Sequence, residues 1–207
     1  MLNSSNEELR REVALCLHEV GGIQFGEFTL TSGESSPYYI DMRVVPSHPD
    51  LFDKFCELCA GMIQRKISRP IDKLAGVPTS GLPFSALVSH KLQLPMIFVR
   101  KGRKPHGRKK AVEGVLKKGD RVVAIDDVTT TGGSLKNAIE KIRMMGGIVE
   151  HVAVFVDREE GAREYLEKNS VQLHPCLKIS ELAKHLHESS ALSKEGYSQI
   201  VAHLEGT

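Results

Sequence analysis

From residue 72 onward, short apolar runs alternate with amphipathic segments, and this alternation constrains the fold more than any other feature of the chain. DKLAGV, LPMIFVR, RVVAIDDV and VEHVAVFVDR read as strands. SGLPFSALVSHKL, SLKNAIEKIRMMGG and AREYLEKN carry helical spacing between and after them, and VQLHP and SELAKHLHE add a short strand and a helix. Near-continuous apolar strands separated by helices predict βαβ units and a mainly parallel sheet. At 207 residues the chain fits one domain and is long enough to bury a sizeable core.

The segment before this alternation has a different pattern. Ser5 and Glu8 form a capping box, and Leu9, Val13, Leu17 and Val20 trace one helical face that Gly21-Gly22 ends. FGEFTL and PYYIDM read as short strands separated by the turn-forming TSGESSP. These elements are expected to lie over one end of the sheet. Phe52, Phe55, Cys56, Cys59, Met62 and Ile63 then recur at helical spacing before Arg69-Pro70.

Composition excludes several classes. The net charge of +2 gives no global basic character for nucleic acid, and no apolar run approaches the roughly 18 residues of a membrane helix. A cytoplasmic protein is expected. Cys56-x-x-Cys59 has zinc or redox spacing, but both residues fall on one apolar helix face and no second ligand pair stands out, so core packing is the better reading. Cys16 and Cys176 have no partner nearby in sequence. His185 and His187 lie two apart on a helix, on different faces. Residues 101–114, KGRKPHGRKKAVEG, are rich in cations and lack apolar periodicity; a loop of this length between core strands is usually functional.

The stretch 122–134, VVAIDDVTTTGGS, carries the chemistry. In parallel sheets ligands bind beyond the carboxyl ends of strands, where Asp126 and Asp127 fall. TTTGGS then forms a strand-to-helix turn whose backbone N–H groups, hydroxyls and helix N-terminus suit a phosphate. Two carboxylates beside a phosphate cradle would repel the phosphate unless it is joined to a group with hydroxyl donors, such as a ribose. The same acids would stabilise positive charge developing at the ribose C1 as a group departs. No G-x-x-x-x-G-K-[ST] occurs and no G-x-G-x-x-G follows a strand.

VVAIDDVTTTGGS resembles the phosphoribosyl-diphosphate motif of type I phosphoribosyltransferases. Three further stretches, FGEFTLTSGESSPYYID, FVRKGRKPHG (as R-K-x-x-K-x-H-G) and VDREEG, resemble orotate phosphoribosyltransferases, in order and spacing from about residue 21 to residue 187. The resemblance implies an α/β type I phosphoribosyltransferase fold: a mainly parallel central sheet flanked by helices, a small N-terminal hood and a flexible catalytic loop. It implies one domain over residues 1–207, with the N-terminal helix and hood strands at about 1–45, the core at about 46–190 and a C-terminal tail or helix at 191–207.

The implied reaction joins orotate to 5-phosphoribosyl 1-diphosphate, releasing pyrophosphate and giving orotidine 5′-monophosphate for pyrimidine biosynthesis. Asp126 and Asp127 would hold the ribose hydroxyls; Val128, Thr129, Thr130, Thr131, Gly132, Gly133 and Ser134 would bind the 5′-phosphate, with Thr130 also near the pyrimidine. Arg100, Lys101, Lys104 and His106 would neutralise the pyrophosphate in the neighbouring subunit of a homodimer, Lys104 and His106 assisting its departure. Arg158 would pair with the orotate carboxylate, although Glu159 or Glu160 could also engage it; Tyr39 and Ile40 would line the base. Mg²⁺ would be carried mainly by substrate oxygens. Thr31 and Ser80 stand where the family often has lysine, and Arg108-Lys109-Lys110 add charge to the loop instead. The alternatives are a purine phosphoribosyltransferase, against which the loop and D-R-E-E-G segments argue, and a non-catalytic sensor of the diphosphate, which would not need the complete loop.

Overall fold

The computed structural model describes residues 2–29, 33, 35–102 and 111–206, with the backbone alone for residues 2–5. Its centre is a six-stranded sheet of order β5-β4-β3-β6-β7-β8. The strands are β3 (Lys73–Gly76), β4 (Met96–Val99), β5 (Val112–Glu113), β6 (Arg121–Thr129), β7 (Ile148–Asp157) and β8 (Gln172–Lys178). All neighbours pair parallel except β4 with β5. The expected mainly parallel α/β sheet is present. A separate antiparallel pair, β1 (Ile23–Thr29) and β2 (Ser35–Ile40), forms the hood.

Strand residues alternate between two apolar layers, as the period of two requires. Leu74, Val123, Ile125, Ala153 and Phe155 face a core shared with α1 (Leu2–Glu19), α2 (Pro49–Lys66), α3 (Gly81–Leu92) and α6 (Ile179–Glu188). Ala75, Val77, Val122, Ala124, Val152 and Val154 face a second core with α4 (Gly133–Met144) and α5 (Ala162–Lys168). In the first core the Phe155 ring packs at a tilt against Phe84 at 4.5 Å and Phe55 at 5.8 Å between centroids. Truncating such a buried ring costs about 3–5 kcal/mol.

Four expectations change. Helix α1 begins at Leu2, so Ser5 lies within its first turn rather than capping it. Val13, Ala14 and Leu17 bury α1 in the first core, so this helix belongs to the main body as well as covering the hood. Cys176 has a partner after all: β8 crosses α2, and the Cys59 thiol hydrogen-bonds with Cys176. That bond, with burial, raises the Cys59 thiol pKa, and Cys56 is raised by burial. All three thiols are fully buried, as core packing of Cys56 and Cys59 predicted. Finally, the cationic loop ends sooner than residue 114, because Val112–Glu113 pair antiparallel with Val99 and Phe98. Two residues are too few to show a period.

The C-terminal segment is a helix, α7 (Lys194–Glu205), packed against β2. Strand β8 is one outer margin of the sheet and carries Pro175, a residue found in sheets chiefly at edges. No helix among the described residues is long and apolar enough to cross a membrane. Among the same residues no group of three or more His, Cys, Asp or Glu could hold a metal ion. His185 faces Glu7 at 3.5 Å, whereas His187 Nδ1 lies 3.0 Å from the Leu192 carbonyl, so they do not converge.

Candidate active site

The strand order reverses between β3 and β6: the chain adds β4 on one side of β3 and continues through β7 and β8 on the other. Ligands bind beyond the carboxyl ends of strands at such a switch point. Asp126 and Asp127 lie near that end of β6, beside the β3–α3 turn, where the Pro78–Thr79 peptide bond is cis. Gly81 opens α3 directly against them. A Cβ there would lie 3.0 Å from both Asp126 Oδ1 and the Ile125 carbonyl. The glycine permits this approach, and its significance was not visible in the sequence.

Asp126 is 5% exposed and accepts the Asp127 N–H at 3.0 Å. Burial, reinforced by the Asp127 carboxylate, pushes Asp126 well above the usual carboxylate range. Asp127 is half-buried. After them, Val128 packs on the first core and Thr129 is buried, while Thr130 and Thr131 lead outward into the turn. Gly132 has φ 84°, a left-handed conformation that favours glycine, and it starts α4 with no side-chain cap. A Cβ on Gly133 would meet nothing within 4 Å. The turn thus presents uncapped N–H groups beneath open space, the arrangement an anion requires.

Beside this turn a cavity of about 260 Å³ is bounded by the ends of β3 and β4 and one face of α4. Arg100, Lys101, Gly133, Ser134, Asn137 and Lys141 contribute to its wall. Lys141 and Asn137 escaped the sequence reading, although positions 134, 137 and 141 recur at helical spacing. Lys141 Nζ donates to the Arg100 carbonyl at 2.7 Å, and Lys101 Nζ lies 3.4 Å from Thr79 Oγ1. The Arg100 N–H bonds the Ala111 carbonyl at 3.0 Å, and its guanidinium pairs with Glu113 at 2.5 Å, which joins the two ends of the cationic loop. Lys104 and His106 lie outside the described residues, as do Thr31 and Arg108-Lys109-Lys110. Ser80 is half-buried at the start of α3 and makes no capping bond.

Arg158 follows β7 directly, and its N–H bonds the Thr129 carbonyl at 3.0 Å, joining this turn to the phosphate turn. Its side chain is buried against Glu160 at 2.8 Å, under the Tyr38 ring at 4.7 Å. Asp157, buried just before it, is pushed up by burial. Tyr38 and Ile40 point into the core, so Tyr39, one residue between them, leaves β2 on the other face, where its hydroxyl accepts from Arg43 at 3.1 Å. The side chains of Tyr39 and Ile40 therefore leave β2 on opposite faces.

A doubly flanked parallel sheet with paired acids at its switch point, followed by an uncapped Thr/Gly turn, defines a type I phosphoribosyltransferase. The family model for the phosphoribosyl transferase domain matches residues 46–173. An orotate phosphoribosyltransferase of Methanocaldococcus jannaschii is 45% identical over 166 residues, covering 80% of this chain and 92% of the relative. The solved orotate phosphoribosyltransferase of Aeropyrum pernix superposes with a TM-score of 0.74 at 34% identity, covering 84% of this chain and 99% of that one. UMP synthase of Leishmania donovani gives a TM-score of 0.86 at 33% identity; the match covers 95% of this chain but 42% of that longer protein. The chain belongs to the orotate phosphoribosyltransferases of the phosphoribosyltransferase family.

Proposed function

We propose that the protein transfers the phosphoribosyl group of 5-phosphoribosyl 1-diphosphate to orotate, releasing pyrophosphate and giving orotidine 5′-monophosphate. The observation that carries this reading is the Asp126–Asp127 pair at the switch point, immediately before an uncapped phosphate-type turn. In this reading the two carboxylates accept the ribose 2′ and 3′ hydroxyls. Backbone N–H groups and hydroxyls from Val128 to Ser134 hold the 5′-phosphate. As pyrophosphate leaves C1, the fixed carboxylates stabilise the oxocarbenium-like charge without reorganising. Arg158 receives the orotate carboxylate, and Thr130 and Tyr39 border the base.

Arg100, Lys101, Lys104 and His106 would neutralise the pyrophosphate bound in the neighbouring subunit of a homodimer, Lys104 and His106 assisting its departure, and Lys141 joins Arg100 and Lys101 on the cavity wall. A Mg²⁺ ion fits this donor set, because Asp126 and Asp127 offer hard oxygen ligands beside the oxygens of the substrate. Asp126 and Asp127 would hold it together with substrate oxygens, and when bound it supplies positive charge to the leaving pyrophosphate. The decisive assay mixes protein, Mg²⁺, phosphoribosyl diphosphate and orotate and follows the loss of orotate absorbance. Turnover supports the reading. Turnover on a purine base alone, or tight diphosphate binding without turnover on any base, overturns it.

A further inference from the structure

Glu160 has no role in the reaction as described so far, yet three parts of the molecule meet at its carboxylate. Its Oε1 accepts hydrogen bonds from the Tyr38 hydroxyl of β2 at 2.9 Å and from Arg158 Nε at 3.0 Å, and it forms an ion pair with Arg158 Nη2 at 2.8 Å. His203 Nε2 of α7 lies 3.8 Å from the same oxygen. The side chains of Arg158 and Glu160 are each 8% exposed. The Tyr38 ring covers the guanidinium and meets the His203 ring edge-on at 6.0 Å, while Ser36 Oγ lies 3.3 Å from Arg158 Nη2.

A buried ion pair of this kind is a poor source of stability, because well-packed apolar side chains of similar volume often serve as well or better. It does control orientation. A guanidinium carries five N–H donors in a rigid fork. Glu160 and Ser36 engage the Nε and Nη2 donors, and the Nη1 pair has no hydrogen bond to another described residue. A guanidinium clamped along one edge loses its rotamer freedom before a ligand arrives and meets it with the other edge.

We propose that Glu160 is a positioning residue for base recognition: it holds Arg158 with its Nη1 edge toward the orotate carboxylate and links that orientation to β2 and α7. The inference rests on the reading of Arg158 as the group that receives orotate. It makes the C-terminal helix part of the base site, through His203, although this helix lies far from the phosphate turn in sequence.

Steady-state kinetics of Glu160→Gln, His203→Ala and Tyr38→Phe test it, with thermal melting to confirm folding. Loss of one charged hydrogen-bond partner is expected to raise the orotate KM of Glu160→Gln about tenfold, leaving kcat and the diphosphate KM within about twofold. His203→Ala and Tyr38→Phe should shift the orotate KM in the same direction by about two- to fivefold, and they carry the test if Glu160→Gln does not fold. An unchanged orotate KM in the folded variants, or kcat and both KM values moving together, overturns the positioning role. A failure of the underlying reading looks different: the unaltered protein turns over no orotate, or Arg158→Ala leaves its KM untouched.

Discussion

One uninterrupted stretch, residues 122–134, supplies a buried strand, two acids, a turn and the start of α4 on the side of the site proposed for the phosphate. The region proposed for the base is assembled from β2, the turn after β7, and α7, whose contacting residues Ser36, Tyr38, Arg158, Glu160 and His203 span most of the chain. The first region depends on backbone geometry that its own sequence dictates. The second depends on side chains that meet only after the hood and the C-terminal helix have docked. Substitutions on the phosphate side should therefore damage catalysis with little loss of fold, whereas those on the base side should couple recognition to stability.

Asp126→Asn gives the sharpest test of that difference. Removing a preorganised charge should lower kcat by about 10²–10³. Stability should move the other way. Burial raises the folded pKa of Asp126, so the native chain binds more protons than the unfolded chain, and stability declines as pH rises from about 4 through the raised value. Asparagine removes that decline, so the melting temperature at neutral pH should increase. A less stable Asp126→Asn protein would show that the carboxylate is held by the fold and not merely tolerated.

Arg158→Ala should behave in the opposite sense. It leaves the Glu160 carboxylate buried without its cation, and breaking a buried pair this way destabilises by about 3–5 kcal/mol. Urea unfolding measures the loss; a change below about 1 kcal/mol would mean that Tyr38 and water compensate and that the two regions are less different than their construction implies.

Gly81→Ala probes the phosphate side through the backbone. Its Cβ would press on Asp126 Oδ1 and the Ile125 carbonyl, each 3.0 Å away, and displace a catalytic carboxylate by a fraction of an ångström. Misplacement on that scale should lower kcat/KM about tenfold with folding retained. An unaltered kcat/KM would show that Asp126 has room to shift. The smallest effect is expected from Lys109→Ala combined with Lys110→Ala, both outside the described residues. The diphosphate KM should rise about threefold at low salt and less at high salt, as screening dictates. Unchanged kinetics would remove the idea that these lysines compensate for Thr31 and Ser80.

The same contrast explains what was legible in the sequence. The β–α alternation, the parallel sheet, the start of α4 at Gly133 and the position of Arg158 directly after β7 all follow from local pattern. The Glu160 junction does not, because no periodicity links Tyr38 to residue 160 or to His203. Gly81 was equally silent: its lack of a side chain matters only because β6 passes within contact distance. The Cys59–Cys176 bond and the burial of α1 in the main core likewise depend on how α2, β8 and α6 cross.

Pro175 has a consequence beyond its own strand. At one margin of the sheet it withdraws a donor from β8; at the other, β5 is only two residues long and Gly114 follows it with φ 96°. A missing donor on one margin and a very short strand on the other make both poorer templates for a foreign strand. Blunted margins of this kind lower the risk of edge-to-edge aggregation while the hood and the helices are still docking.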